Sequence, residues 1–120
     1  MKAPEEEIPL KQAWESLLTR LETIFGKRPD LNGVLFLIGV QELGQGVRRF
    51  SKEEKQDLMH IATCKVLSYG GFYKLEGIDR DGWPHWTPTQ PLPFLSLRMQ
   101  EELLKEYIIE YFRREVFPDL

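Results

Sequence analysis

The sequence predicts an all-α fold, an antiparallel bundle of about four helices with a short β-hairpin inserted before the last helix. Three observations favour this fold. Apolar residues recur at intervals of three and four in separate segments of the chain. Glycines and prolines end those segments, because glycine allows a left-handed cap and proline cannot continue a helix. Residues 72–86 instead surround the turn Asp79-Arg80-Asp81-Gly82, which is typical of a hairpin.

The first two helices are predicted from their apolar patterns and their ends. The first covers residues 10–25, where one apolar stripe stops at Gly26. The second begins after Asp30, a helix-capping residue, and stops at Gly44. Its residues 34–40 are mostly apolar, which is compatible with a buried helix or a buried strand. We favour a helix because the segment continues to about fourteen residues.

The third and fourth helices have polar start signals. Ser51 with Glu54 three residues later forms a capping box that opens the third helix, which ends near Tyr69 before a pair of glycines. The last helix is predicted from about Ser96 to Glu115, and a proline follows it shortly afterwards.

Composition limits the domain count and the location of the protein. The 120 residues are 42% apolar and carry a formal net charge of −3, which suits one domain with one core. One cysteine excludes an internal disulfide, and no apolar run reaches the roughly 18 residues of a membrane span. We therefore expect a mobile acidic tail at 1–9 and a single helical domain at 10–117, with the hairpin and a proline-rich insertion at about 71–95, in the cytoplasm.

Three strings of the sequence resemble a known family. Gln41 to Gly46, Phe50 to His60 and Glu76 to Trp86 are similar to segments of a family of small uncharacterised Bacteroidetes proteins. The resemblance covers roughly residues 31–115. It implies a bacterial cytoplasmic protein, and it implies no activity, cofactor or functional residue.

One candidate site lies on the third helix. At 100° per residue, Asp57, His60 and Cys64 fall on one side of it. The rest of a zinc or iron site would have to come from His85 or a carboxylate such as Glu42 or Asp79. In the alternative interpretation, which we favour, this side is an ordinary polar face without a cofactor. His60 would then pair with Asp57, and Cys64 would be a small filler beneath the hairpin.

The second candidate site is the aromatic patch of the hairpin region, formed by Trp83, His85, Trp86 and Phe94. Aromatic residues are enriched at interaction hot spots, although the same patch could fold down to cover the helices. Because side chains alternate along an extended arm, Trp83 and Trp86 should face opposite ways, one buried and the other exposed.

The absence of recognisable catalytic motifs guides the functional prediction. The sequence contains no phosphate loop, no complete metal set and no catalytic acids at a recognisable spacing. We expect a non-catalytic accessory or protein-interaction protein whose contact surface is the aromatic hairpin. Its partner would be another protein or a second copy in a homo-oligomer, with no nucleic acid and no membrane. The alternative is a metal- or small-ligand-binding protein that uses the polar face of the third helix.

Overall fold

The protein is described here by a computed structural model over residues 8–120, so most of the predicted tail at 1–9 lies outside the described residues. The elements in chain order are α1 (Leu10–Phe25), α2 (Leu31–Leu43), α3 (Lys52–Leu67), a 3₁₀ turn (Ser68–Gly70), β1 (Tyr73–Ile78), β2 (Pro84–Pro88) and α4 (Leu97–Glu115). Four helices with an antiparallel hairpin between α3 and α4 in this part of the chain confirm the predicted fold class.

The described chain divides into two compact units. One unit contains α1 and α4, and the other, Asp30–Phe94, contains α2, α3 and the hairpin. The single-domain organisation of residues 10–117 stays a prediction. No helix of the described residues is both long enough and apolar enough to cross a membrane.

In the first unit, α1 and α4 each contribute one apolar face. The buried residues are Trp14, Leu17, Leu18 and Leu21 of α1 and Ile108, Ile109, Tyr111 and Phe112 of α4. The guanidinium of Arg20 donates two hydrogen bonds of 3.1 Å to Asp119 and lies 4.0 Å from the centre of the Phe117 ring. These contacts hold the C-terminal residues against α1.

In the second unit, α2 and α3 approach each other closely at a glycine. Residues 34–40 form part of a helix, as predicted, and the Asp30 side chain caps it by accepting the Gly33 N–H at 2.8 Å. A Cβ atom at Gly39 would lie 2.7 Å from the carbonyl carbon of Leu58 and 2.8 Å from its Cβ. The absence of a side chain at Gly39 therefore sets the distance between the two helices.

The hairpin is irregular in register. Leu75 pairs with Trp86, but Gly77 pairs with His85, so a bulge separates the two pairs. At the tip, Gly82 adopts the left-handed region with φ of 88°, as its place in the predicted turn requires. The extra residue lies on β1, and a bulge bends the strand that carries it and increases its local twist.

Candidate binding site

A cleft of about 470 Å³ lies between α3 and the second arm of the hairpin, within the Asp30–Phe94 unit. It is lined by Glu54, Asp57, His60 and Ile61 from α3 and by Asp79, Trp83, Pro84, His85 and Trp86 from the hairpin. The chain's two histidines and two of its three tryptophans are among these residues. The cleft thus unites residues that the sequence analysis assigned to two separate candidate sites.

Asp79 organises the hairpin side of the cleft. Its Oδ1 accepts the backbone N–H groups of Asp81 and Trp83, each at 2.9 Å, and His85 Nε2 donates to its Oδ2 at 2.8 Å. The hydrogen bond from His85 is the largest of the effects that hold the pKa of Asp79 below its ordinary value of 3.8. Asp79 is therefore a carboxylate at neutral pH, and it fixes both the turn and the orientation of the His85 ring.

The turn is also attached to the segment that follows α2. Gln45 Nε2 donates a hydrogen bond of 2.8 Å to the carbonyl oxygen of Asp81. Trp83 packs against a buried cluster that contains Leu43, Phe50 and Leu58. These contacts are made by residues far apart in sequence, and they position the hairpin beside α3.

The two tryptophans of the hairpin have the same intermediate degree of exposure, so the prediction that one is buried and the other exposed is wrong. Both are half-buried and both line the cleft. Trp83 precedes β2 and belongs to the turn, where its N–H is bonded to Asp79, so the alternation of side chains along β2 does not extend back to Trp83. The indole nitrogen of Trp86 is buried and has no hydrogen-bond acceptor among the described residues.

The α3 side of the cleft begins with the predicted capping box. Ser51 Oγ accepts the N–H of Glu54 at 3.1 Å, and Glu54 Oε1 accepts the N–H of Ser51 at 2.9 Å. Arg48 also donates to Glu54 Oε2 at 3.3 Å. The backbone hydrogen bond from Ser51 is the largest cause that lowers the pKa of Glu54. The Glu54 carboxylate is therefore already engaged in capping the N-terminus of α3.

Asp57 differs from the other two carboxylates of the cleft. Its side chain is exposed, and within residues 8–120 no hydrogen bond or ion pair engages it. His60, one helical turn further along, is also exposed to the cleft. The α3 side therefore presents one unpaired negative charge and one imidazole.

The four predicted metal ligands do not all meet. Asp57, His60 and His85 line the cleft, whereas Cys64 is fully buried and absent from its lining. Over the described range, no group of three or more histidine, cysteine or acidic side chains is arranged to hold a metal ion. His60 Nε2 does lie 3.6 Å from Cys64 Sγ. Burial raises the pKa of the Cys64 thiol to about 11, so the thiol is protonated at neutral pH.

The predicted interaction surface is also only partly brought together in the cleft. Trp83, His85 and Trp86 line the cleft, but Phe94 is fully exposed and does not. The role of Asp79 in orienting His85 was not predicted from the sequence. One signal could have indicated it, since an aspartate at the first position of a turn commonly accepts the N–H two residues later.

Compared with protein-family models, with curated proteins and with solved structures, the chain matches none.

Proposed function

We propose that this is a non-catalytic bacterial cytoplasmic protein that binds a partner protein through the cleft between α3 and the hairpin. The observation that carries this proposal is the convergence of both histidines, two tryptophans and the unpaired Asp57 on one open cleft. The partner is another protein or a second copy of the chain.

The chemistry of the cleft supports binding more than covalent catalysis. The Asp79–His85 pair has the geometry of an oriented base. Covalent catalysis also needs an accessible, activated nucleophile, and the single cysteine is buried with a raised pKa. His85, by contrast, keeps 63% of its side chain exposed while its ring is held by Asp79. A ring that is both exposed and fixed is suited to recognition.

The cleft is also held in place before any partner arrives. Trp83 packs on the cluster of Leu43 and Phe50, and Asp79 closes the turn with three hydrogen bonds. Binding to a rigid surface avoids the cost of ordering side chains, about 0.5–1.5 kcal/mol for each one immobilised. Tryptophan is among the residues most enriched at interaction hot spots, which further supports a protein partner.

Site-specific photo-crosslinking tests the proposal. A photoreactive amino acid replaces His85 in one variant and Lys74 in a control, because Lys74 is an exposed residue of the same hairpin outside the cleft lining. In cells of the source bacterium, we expect a discrete adduct from position 85 and none from position 74. An adduct of twice the 14.1 kDa chain mass would identify the partner as a second copy. Identical adducts from both positions, or none from position 85, would contradict the proposal.

A second candidate is a metal- or small-ligand-binding protein. Asp57, His60 and His85 line one cleft, and carboxylate and imidazole are common ligands of zinc and iron, but a metal would have to draw these side chains closer together than they stand in the described residues. Elemental analysis of the purified protein tests it. Stoichiometric zinc or iron that is lost in the His60→Ala variant would support this candidate over the first.

A further inference from the structure

We infer that the partner protein inserts a lysine or arginine side chain into the cleft. This inference rests on the proposed function, and it names the chemistry that the cleft recognises. It follows from the charges, the aromatic surface and the size of the cleft.

The charges of the lining favour a cation. Three carboxylates line the cleft, and no lysine or arginine does. Glu54 is paired with Arg48, and Asp79 is paired with His85, so these two are partly compensated. Asp57 has no partner in the described part of the chain. An ammonium or guanidinium group would give Asp57 the counter-charge that the chain itself does not supply, through a charge-assisted hydrogen bond.

The aromatic surface favours the same kind of ligand. Trp83 and Trp86 line the cleft, and the indole ring attracts cations more strongly than the other aromatic side chains do. The chain already makes this type of contact elsewhere, since the Lys105 ammonium lies 5.2 Å from the centre of the Trp14 ring. A long basic side chain can place its alkyl stem on an indole while its charged group reaches a carboxylate.

The alternatives are less favourable. An anionic group would meet three carboxylates, and an apolar group would cover Asp57 without giving it a partner, which costs free energy. The cleft volume of about 470 Å³ falls within the usual range of ligand pockets, roughly 300–1,000 Å³. One basic side chain with its neighbouring backbone can occupy such a volume.

Titration of the full chain with short peptides tests the inference. The probes are acetyl-Gly-Lys-Gly-amide and acetyl-Gly-Arg-Gly-amide. The controls replace the basic residue by norleucine, which keeps the alkyl stem without the charge, or by glutamate. The NMR signals of the indole N–H groups of Trp83 and Trp86 report binding, and the buried Trp14 of α1 serves as internal reference. We expect the two basic peptides to move the cleft signals, with an affinity that falls as salt increases.

Two matched variants test the role of the unpaired carboxylate. Asp57→Asn should weaken binding of the lysine peptide about fivefold, in line with the loss of one exposed ion pair. Glu53→Gln removes the same charge one helical turn away, outside the cleft lining, and should change the affinity less than twofold. Equal losses in the two variants would overturn the assignment to Asp57.

The outcomes separate this inference from the proposed function. If the norleucine or glutamate peptide binds as well as the lysine peptide, the cleft is a contact surface but does not select cations. If n-butylamine binds more tightly than the lysine peptide, the ligand is a small amine, and the inference that a partner protein supplies the cation is wrong. If no peptide binds, the inference fails. The crosslinking experiment at position 85 still tests the proposed function, because crosslinking depends on no particular ligand chemistry.

Discussion

Gly39→Ala should destabilise the protein, although alanine is the better helix former. Gly39 lies on α2 at the point where α2 meets Leu58 of α3. The added Cβ would come within 2.7 Å of the Leu58 carbonyl carbon and 2.8 Å of its Cβ, more than half an ångström short of ordinary contact at 3.4 Å. The first of these neighbours is a backbone atom, which cannot rotate away as the end of a flexible side chain could. The two helices must therefore move apart.

The size of the effect follows from two opposing contributions. Overpacking of a core costs about 1–3 kcal/mol, and a rigid backbone neighbour places this site at the upper end. Alanine regains about 1 kcal/mol through its helix propensity. We expect a net loss of about 2 kcal/mol in the free energy of unfolding, which lowers the Tm of a chain of this length by about 8 °C.

Urea and thermal unfolding followed by circular dichroism measure this change. Gly77→Ala is the matched control, because an added Cβ there meets no atom within 4 Å and φ lies outside the left-handed region. Its free energy of unfolding should change by less than about 0.5 kcal/mol. A Gly39→Ala variant as stable as the natural chain would refute the close approach of α2 and α3. Since Asp57 flanks Leu58, the displaced α3 should also alter peptide binding in the cleft.

Two further predictions concern titrating groups. Burial raises the pKa of Cys64 from 9.0 to about 11, so at pH 8 its thiol is about a hundredfold less ionised than an ordinary thiol. Iodoacetamide should therefore alkylate the folded chain at least about a hundredfold more slowly than the urea-unfolded chain. Equal rates would show an accessible thiolate. His85→Ala should raise the pKa of Asp79 towards 3.8, as NMR titration of the carboxyl carbon can show, while the Asp119 pKa, lowered by Arg20, stays constant. Because folding lowers the pKa of Asp79, the stabilising contribution of this carboxylate is present above pH 3.8 and is lost as the pH falls below that value. An unchanged Asp79 pKa in the His85→Ala variant would show that His85 does not hold this carboxylate.

The helices could be predicted because their signals are local. The side chains of Asp30, Ser51 and Ser96 each cap the helix that follows, as their positions in the sequence indicate. Gly26 and Gly44 both adopt the left-handed conformation at helix ends, which needs no information beyond a few neighbouring residues. The role of Gly39 in close helix packing was also predictable, because a glycine within an apolar helix often marks such a contact.

The cleft could not be predicted because it depends on contacts between distant residues. The hydrogen bond from Gln45 to Asp81 spans 36 positions, and no periodicity in the sequence reports it. The helical wheel of α3 places Cys64 beside Asp57 and His60, yet Cys64 is fully buried whereas the other two are exposed. A wheel gives the direction of a side chain, but tertiary packing decides which part of a helix face is covered.

The residues that line the cleft differ in how strongly they are coupled to folding. Trp83 belongs both to the cleft lining and to the packing around Leu43 and Phe50, so its substitution changes stability and binding together. Asp57 and His85 are exposed, and neither packs in that cluster. Substitutions at these two positions can therefore change what the cleft binds while the fold persists. A binding-defective variant at Asp57 with an unchanged unfolding curve is the result that would separate recognition from stability in this protein.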